Sequence, residues 1–207
     1  MKPYYDRAGV TIYLGDAREV VPHLPPVSAV ITDPVWPDCE GVFPGIDAPR
    51  LLAEVLENVV SAERVVIQIG CWSDPRFLAS VPEKWPFIRA CWLEYACPSH
   101  RGRILNTGEL AYAFGSPPPS REGARVLPGK VIATKKDAKF GHPTPRKMEH
   151  SRWLVKWFGG DSILDPFCGS GANLRAAKDQ NIPAIGVEIE ERYCESAAKR
   201  LEQDVLL

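Results

Sequence analysis

The sequence has no run of eighteen apolar residues, no CxxC pair, no internal repeat and almost no net charge. The first absence excludes a spanning helix, which needs about twenty apolar residues. The start, "MKPYYDRAGV", likewise lacks the apolar stretch of a signal peptide. The six cysteines (Cys39, Cys71, Cys91, Cys97, Cys168 and Cys194) match neither zinc-ligand spacing nor a secreted disulfide framework. Free thiols in a reducing cytoplasm are expected, with no metal site. The formal net charge of −1 provides no global field for polyanions, so any nucleic-acid contact must come from a local patch. What remains is ordinary for one α/β domain: 207 residues, 45% hydrophobic and 25% charged.

Short apolar runs bounded by Gly, Pro or Asp alternate with amphipathic stretches. "VTIYLGD" (10–16), "VSAVITD" (27–33) and "RVVIQIG" (64–70) predict buried strands. "DAPRLLAEVLENVVS" (47–61) has helical spacing, with Asp47 as N-cap and Pro49 in the first turn, and a short helix is expected from Ser73. "FIRACWLEYA" (87–96) and "ELAYAFGS" (109–116) are strand-like neighbours that can pair antiparallel. Residues 117–141 are rich in Pro and Gly and carry a local excess of four positive charges. A helix near 147–158, the strand "SILDPF", the loop "CGSG", a helix from Ala172, the strand "PAIGVEI" and a last helix to about Glu202 follow. Strands alternating with helices imply a mostly parallel, doubly wound sheet covered on both faces.

Two strand ends carry chemistry. In "DSILDPFCGSGANLRAAKD", Gly169 and Gly171 allow a tight turn and a close ligand approach at a helix start. Glu188 ends the next strand, where a carboxylate can accept both ribose hydroxyls. The third glycine of the dinucleotide fingerprint is absent, Leu174 standing in its place. Asp165, just before the glycines, would repel a pyrophosphate and suits a cationic or zwitterionic nucleoside, a description S-adenosylmethionine fits. The other end is "AVITDPVWPD" (29–38), where a buried strand stops on an acid, a proline and a tryptophan.

These motifs resemble those of a known family. "DPFCGSG" is similar to the methionine-binding motif of amino-methyltransferases, and "TDPVWP" to their catalytic DPPY/DPPW motif. "HPTPRK" (142–147) and "YLGDAREVVPHLP" resemble the HPTxKP element and the GD opening of one permuted branch. The motif order, with the cofactor half after the catalytic half, looks like the β-class of bacterial and phage DNA amino-methyltransferases. That resemblance implies a single domain over 1–207 with a Rossmann-like class I methyltransferase fold, circularly permuted around a seven-stranded sheet. It implies S-adenosylmethionine as cofactor, double-stranded DNA as partner, a cytoplasmic location without membrane association, and compatibility with a homodimer. By the same resemblance, Asp165, Phe167, Gly169 and Gly171 line the methionine end and Glu188 holds the ribose. Asp16 accepts from the adenine amino group, while His142, Pro143 and Thr144 close over the cofactor. The family's lysine is replaced by either Arg146 or Lys147.

The chemistry fits "DPVW". A base amino nitrogen is a poor nucleophile until it moves toward tetrahedral geometry. Acceptors aimed at its two hydrogens favour that change, most strongly in a dry site. Asp33 can supply a carboxylate, Pro34 its backbone carbonyl, and Trp36 a stacking face contributing roughly 1–3 kcal/mol per base. Reaching the amino group in a duplex requires flipping the base. Val35 departs from the family's second proline, and activity is expected to survive because the carbonyl belongs to Pro34. No cysteine is expected to act as nucleophile. Aspartate at the first motif position favours adenine over cytosine in the resembling family. The target-recognition region is expected within 97–141, with Arg101, Arg103, Lys130, Lys135 and Lys136 contacting DNA. Methylation of cytosine, RNA or a protein glutamine, and a catalytically silent DNA-binding relative, stay open.

Overall fold

The computed structural model describes residues 1–37, 45–59, 61–120, 126–134 and 146–203. Their strands form one sheet. Its parallel centre comprises β2 (Val10–Leu14), β3 (Ala29–Thr32), β4 (Arg64–Gly70), β8 (Ile163–Asp165) and β9 (Ala184–Glu188), in the order β2-β9-β8-β3-β4. On one side β1 (Tyr5–Arg7) pairs antiparallel with β2. On the other, β6 (Ile104–Gly115) runs antiparallel to β4, and β5 (Phe87–Arg101) antiparallel to β6. The edge strand β7 (Lys130–Ala133) lies parallel to β5. The expected seven strands thus become nine. "YDR" is too short and polar to announce a strand, and "KVIA" pairs only along one edge.

Successive residues of each central strand serve opposite faces, as a pleated strand requires. Ala29, Ile31, Val66 and Ile163 join the cluster built on α3 (Met148–Phe158), α4 (Ala172–Lys178) and α5 (Glu191–Glu202). Val30, Val65, Ile67 and Leu164 join the one built on α1 (Ala17–Val20) and α2 (Ala48–Glu57). The expected α/β doubly wound architecture is therefore present. Helix α2 begins as predicted: the Asp47 carboxylate accepts from the Arg50 amide at 3.1 Å, with Pro49 in the first turn. Its Leu52, Val55 and Leu56 are fully buried, each contributing roughly 1.5–3 kcal/mol. The short helix expected from Ser73 is a 3₁₀ segment, Pro75–Ser80, capped by Asp74.

The β5–β6 hairpin is longer than the sequence pattern suggested. Glu109 pairs with Gly70 at the end of β4, and β6 continues past that edge to Ile104, opposite Arg101. At about 3.3 Å per residue, five residues carry the tip roughly 16 Å along the strand beyond Gly70. The loop after β4 braces this arm, Cys71 donating to Asn106 Oδ1 at 3.2 Å.

Candidate active site

Parallel strands deliver their C-terminal ends to one edge of a sheet, and ligands of open α/β sheets bind there. Asp165 and Glu188 end β8 and β9, Asp33 directly follows β3, and Asp16 lies two residues after β2. A cavity of about 500 Å³ opens at this edge, lined by all four acids together with Pro34, Val35, Trp36, Arg146, Phe167, Gly169 and Tyr193. That volume suits a nucleoside-sized ligand.

Asp165 is 2% exposed and locked from three directions. Its Oδ1 accepts from Thr32 Oγ1 at 2.8 Å and from the Phe167 amide at 3.2 Å, and its Oδ2 accepts from Asn173 Nδ2 at 2.9 Å. Burial raises the carboxyl from 3.8 to about 7, against these hydrogen bonds. The glycine turn behaves as predicted. Gly169 and Gly171 have φ of 49° and 75°, and Gly171 caps α4. A Cβ on Gly171 would lie 2.9 Å from that of Ala197, so α5 packs against the bare turn.

Glu188 accepts from the Gly169 amide at 2.9 Å and the Glu190 amide at 2.8 Å, one on each oxygen. Burial nonetheless holds its carboxyl above the usual range. A carboxylate offers about four acceptor positions, so capacity for hydroxyl donors remains. Asp16 is different. It caps α1 through the Arg18 amide at 2.9 Å and is paired to the Arg18 guanidinium, which draws its carboxyl below the ordinary value. It reaches the cavity with that charge already committed.

Around Asp33 the structure departs from expectation. Both carboxylate oxygens accept from Arg146, through Nε and Nη2. The same guanidinium lies 4.3 Å from the Trp36 ring centroid and donates through Nη1 to Glu109 Oε1. Tyr95 donates to that glutamate oxygen at 2.6 Å, and its ring stacks on His150. Burial raises Asp33 to about 6, partly offset by the Arg146 charge. Burial also works against the Arg146 charge, but Asp33 and Glu109 hold its pKa above the ordinary value. Between the two basic residues considered for the family's lysine, Arg146 is thus the one that reaches Asp33. Beneath this group, Trp36 Cζ3 sits where a Cβ on Gly70 would be only 2.6 Å away.

Glu109, Tyr95, Gly70, Thr32 and Asn173 were missed from sequence. Gly70 ends "RVVIQIG", so its strand-end position was an available signal, whereas Glu109 lies within β6 and is brought to the site by its pairing with Gly70. His142, Pro143, Thr144, Lys135 and Lys136 lie outside the described residues. Arg103 is exposed at the hairpin tip, where Arg101 ends β5, and Lys130 pairs with Glu94 at 3.3 Å. Cys168 and Cys194 are buried beside Glu188, and burial pushes their thiols up, that of Cys194 to about 12. Neither offers a thiolate. No described helix is long and apolar enough to cross a membrane.

Residues 130–199 match the family of N6/N4 DNA methylases, described as DNA methylase. Over 86 residues, 40% of this chain, it is 34% identical to the orphan methyltransferase M.BamHII of Bacillus amyloliquefaciens. The matched stretch spans about a third of that relative, 32% of its length. The fold is shared more widely. The M1.HpyAVI–SAM complex superposes with a TM-score of 0.73 at 22% identity, covering 94% of this chain and all of that one. The PvuII DNA methyltransferase (cytosine-N4-specific) gives a TM-score of 0.73 at 15% identity, covering 100% and 90%. The architecture is the class I methyltransferase fold.

Proposed function

We propose that this chain, which carries the DNA methylase family segment at 130–199 on a class I methyltransferase fold, is an S-adenosylmethionine-dependent DNA amino-methyltransferase acting on adenine. One observation carries the reading. The hydroxyl of Thr32, the last residue of β3, holds Asp165, while the next residue, Asp33, faces the same cavity, so the strand that presents the acid of one motif also fixes the acid of the other.

The cavity fits the cofactor on the chemistry of its donors. Asp165, acidic and almost wholly buried, would hold a cationic amino-acid end, with Phe167, Gly169 and Gly171 shaping the turn around it. Glu188 would take the ribose hydroxyls. Asp16, already paired with Arg18, would serve the adenine end as a fixed acceptor. When bound, the cofactor supplies a methyl group activated by its sulfonium. The chain's own residues then act on the substrate. Asp33 and the Pro34 carbonyl accept the two amino hydrogens of a flipped base, and Trp36 stacks it. The buried, high-pKa thiols of Cys168 and Cys194 leave direct transfer, without a cysteine adduct, as the simpler route.

The hairpin supports a nucleic-acid partner. Its tip brings together His100 and Arg103 with Ile104 and Leu105, which are exposed at 59% and 58%. Cations for phosphates beside apolar groups that can press between base steps suit double-stranded DNA. Adenine as the target rests on aspartate, rather than serine, at position 33. The test is to express the protein in a host lacking DNA methylation and identify modified nucleosides by mass spectrometry. N6-methyladenine is expected. N4-methylcytosine would overturn the base assignment, and unmodified DNA with labelled RNA or protein would overturn the substrate class.

A further inference from the structure

We infer that Arg146 is a positioning residue that holds the contacts a target base would need on Asp33 and Trp36, and that Glu109 receives it when a base enters. The inference rests on the methyltransferase reading above. A guanidinium is flat, presents a fork of N–H donors and stacks on aromatic faces, features it shares with the amino edge of a base. Arg146 uses all of them where the base is needed. It occupies both oxygens of Asp33 and covers the Trp36 ring at 4.3 Å. A base amino group needs an Asp33 oxygen and the base needs that ring. The indole has little room to retreat toward Gly70, where even an added Cβ would lie only 2.6 and 2.9 Å from its Cζ3 and Cη2 atoms. Each Asp33 oxygen keeps a second acceptor position, but one ring face cannot carry two planes, so base and guanidinium exclude each other over Trp36 and Arg146 must move.

Glu109 is arranged to take it. Its Oε1 accepts from Arg146 Nη1 and from Tyr95, which fixes the carboxylate in place. Its Oε2 is buried without a hydrogen-bond partner among the described residues. A buried carboxylate oxygen left unfilled is costly, and a second guanidinium N–H would satisfy it. Arg146 would thus exchange a two-point contact on Asp33 for one on Glu109. The cation keeps a buried carboxylate throughout, so the swing does not strand a charge. The guanidinium also keeps Asp33 ionised and oriented before substrate arrives.

The experiment observes the Arg146 Nε–H in protein labelled with ¹⁵N-arginine, assigned by its loss in Arg146→Lys, while random-sequence single-stranded DNA 20-mers are added. The resonance is expected to leave its Asp33-paired position as DNA saturates. In Glu109→Gln, reaching the same displacement should take about tenfold more DNA, since a charge-assisted hydrogen bond is removed from the receiving side. KM for DNA should rise with it, and kcat change less. DNA that is methylated while the Nε–H stays in its paired position would overturn the inference, as would Glu109→Gln with unaltered KM. A resonance that moves with DNA while no methyl is transferred would support the displacement and strike instead at the assigned activity.

Discussion

Asp165→Asn separates what this acid does for binding from what it does for stability. Asp165 is 2% exposed, and burial lifts its carboxyl from 3.8 to about 7. A carboxyl raised by folding contributes stability that is fully present below about pH 4 and lost as pH rises through about 7. At about 1.4 kcal/mol per pH unit, the ionised acid costs the folded state about 3 kcal/mol between pH 5 and pH 8. Asparagine removes that dependence. It also sets its amide against Asn173 Nδ2, which now donates to both Asp165 Oδ2 and Ile31 O, at a cost of about 1 kcal/mol at every pH. The variant should therefore be similar to, or weaker than, the parent at pH 5 and clearly more stable at pH 8. Urea unfolding at the two pH values measures the difference, and calorimetry should show S-adenosylmethionine binding weakened at least tenfold. In the parent, that binding should strengthen as pH rises through about 7, because a cationic group requires the ionised acid. A stability difference between the two proteins that does not change with pH would refute the reasoning.

Gly70→Ala places a methyl 2.6 Å from Trp36 Cζ3 and must push the indole aside. With stacking worth roughly 1–3 kcal/mol, KM for DNA should rise about fivefold or more while cofactor affinity holds, as steady-state kinetics and calorimetry would show. The kcat/KM for DNA should fall as pH drops through about 6, since Asp33 must be ionised among Arg146, Glu109 and Asp165 in the free protein. Arg146→Met should move that limb upward, and a pH profile identical to the parent's would remove Asp33 from the acceptor role. Arg103→Ala should reduce the slope of log affinity against log salt by about 0.9 if it holds one phosphate, measured by fluorescence anisotropy between 50 and 200 mM salt, roughly the range over which such slopes are read.

The acids that end β8 and β9 and follow β3 were legible because a parallel strand is an apolar run with a fixed direction. Whatever follows it arrives at the shared edge. The glycine turn was legible for a similar reason, since positive φ at Gly169 and Gly171 leaves few other residue choices. The Arg146–Glu109 contact was not, because it joins residues 37 apart through strands whose register no local pattern specifies. Nor was the length of the β5–β6 arm. The described side chains of "PSHRGRIL" show no alternation of buried and exposed positions, because no described strand flanks that part of the hairpin. Asp16 was read from the sequence as an acceptor for the cofactor's adenine amino group. The structure assigns it the cap and the Arg18 pair while keeping it on the cavity wall.

If the proposed DNA substrate is right, an anionic cavity would have to receive part of a polyanion, and the fold separates the two in space. Each acid at the edge is restrained locally: Asp16 by Arg18, Asp33 by Arg146, Glu188 by backbone amides, and Asp165 by a carboxyl that titrates at about 7. The remaining field favours a cationic cofactor. Phosphates would meet the protein first at the hairpin tip, roughly 16 Å farther along β6 by strand rise. The screening length at physiological salt is about 8 Å, so repulsion from the acids is weak at that distance while attraction to Arg103 at contact is not. On the proposed reading, a net charge of −1 is no obstacle to DNA binding, because the cations expected to meet the phosphates are carried on an arm beyond the reach of the acids. The same separation predicts that salt should weaken DNA binding far more than it weakens cofactor binding, and equal salt slopes for the two would show that the arm does not carry the phosphate contacts.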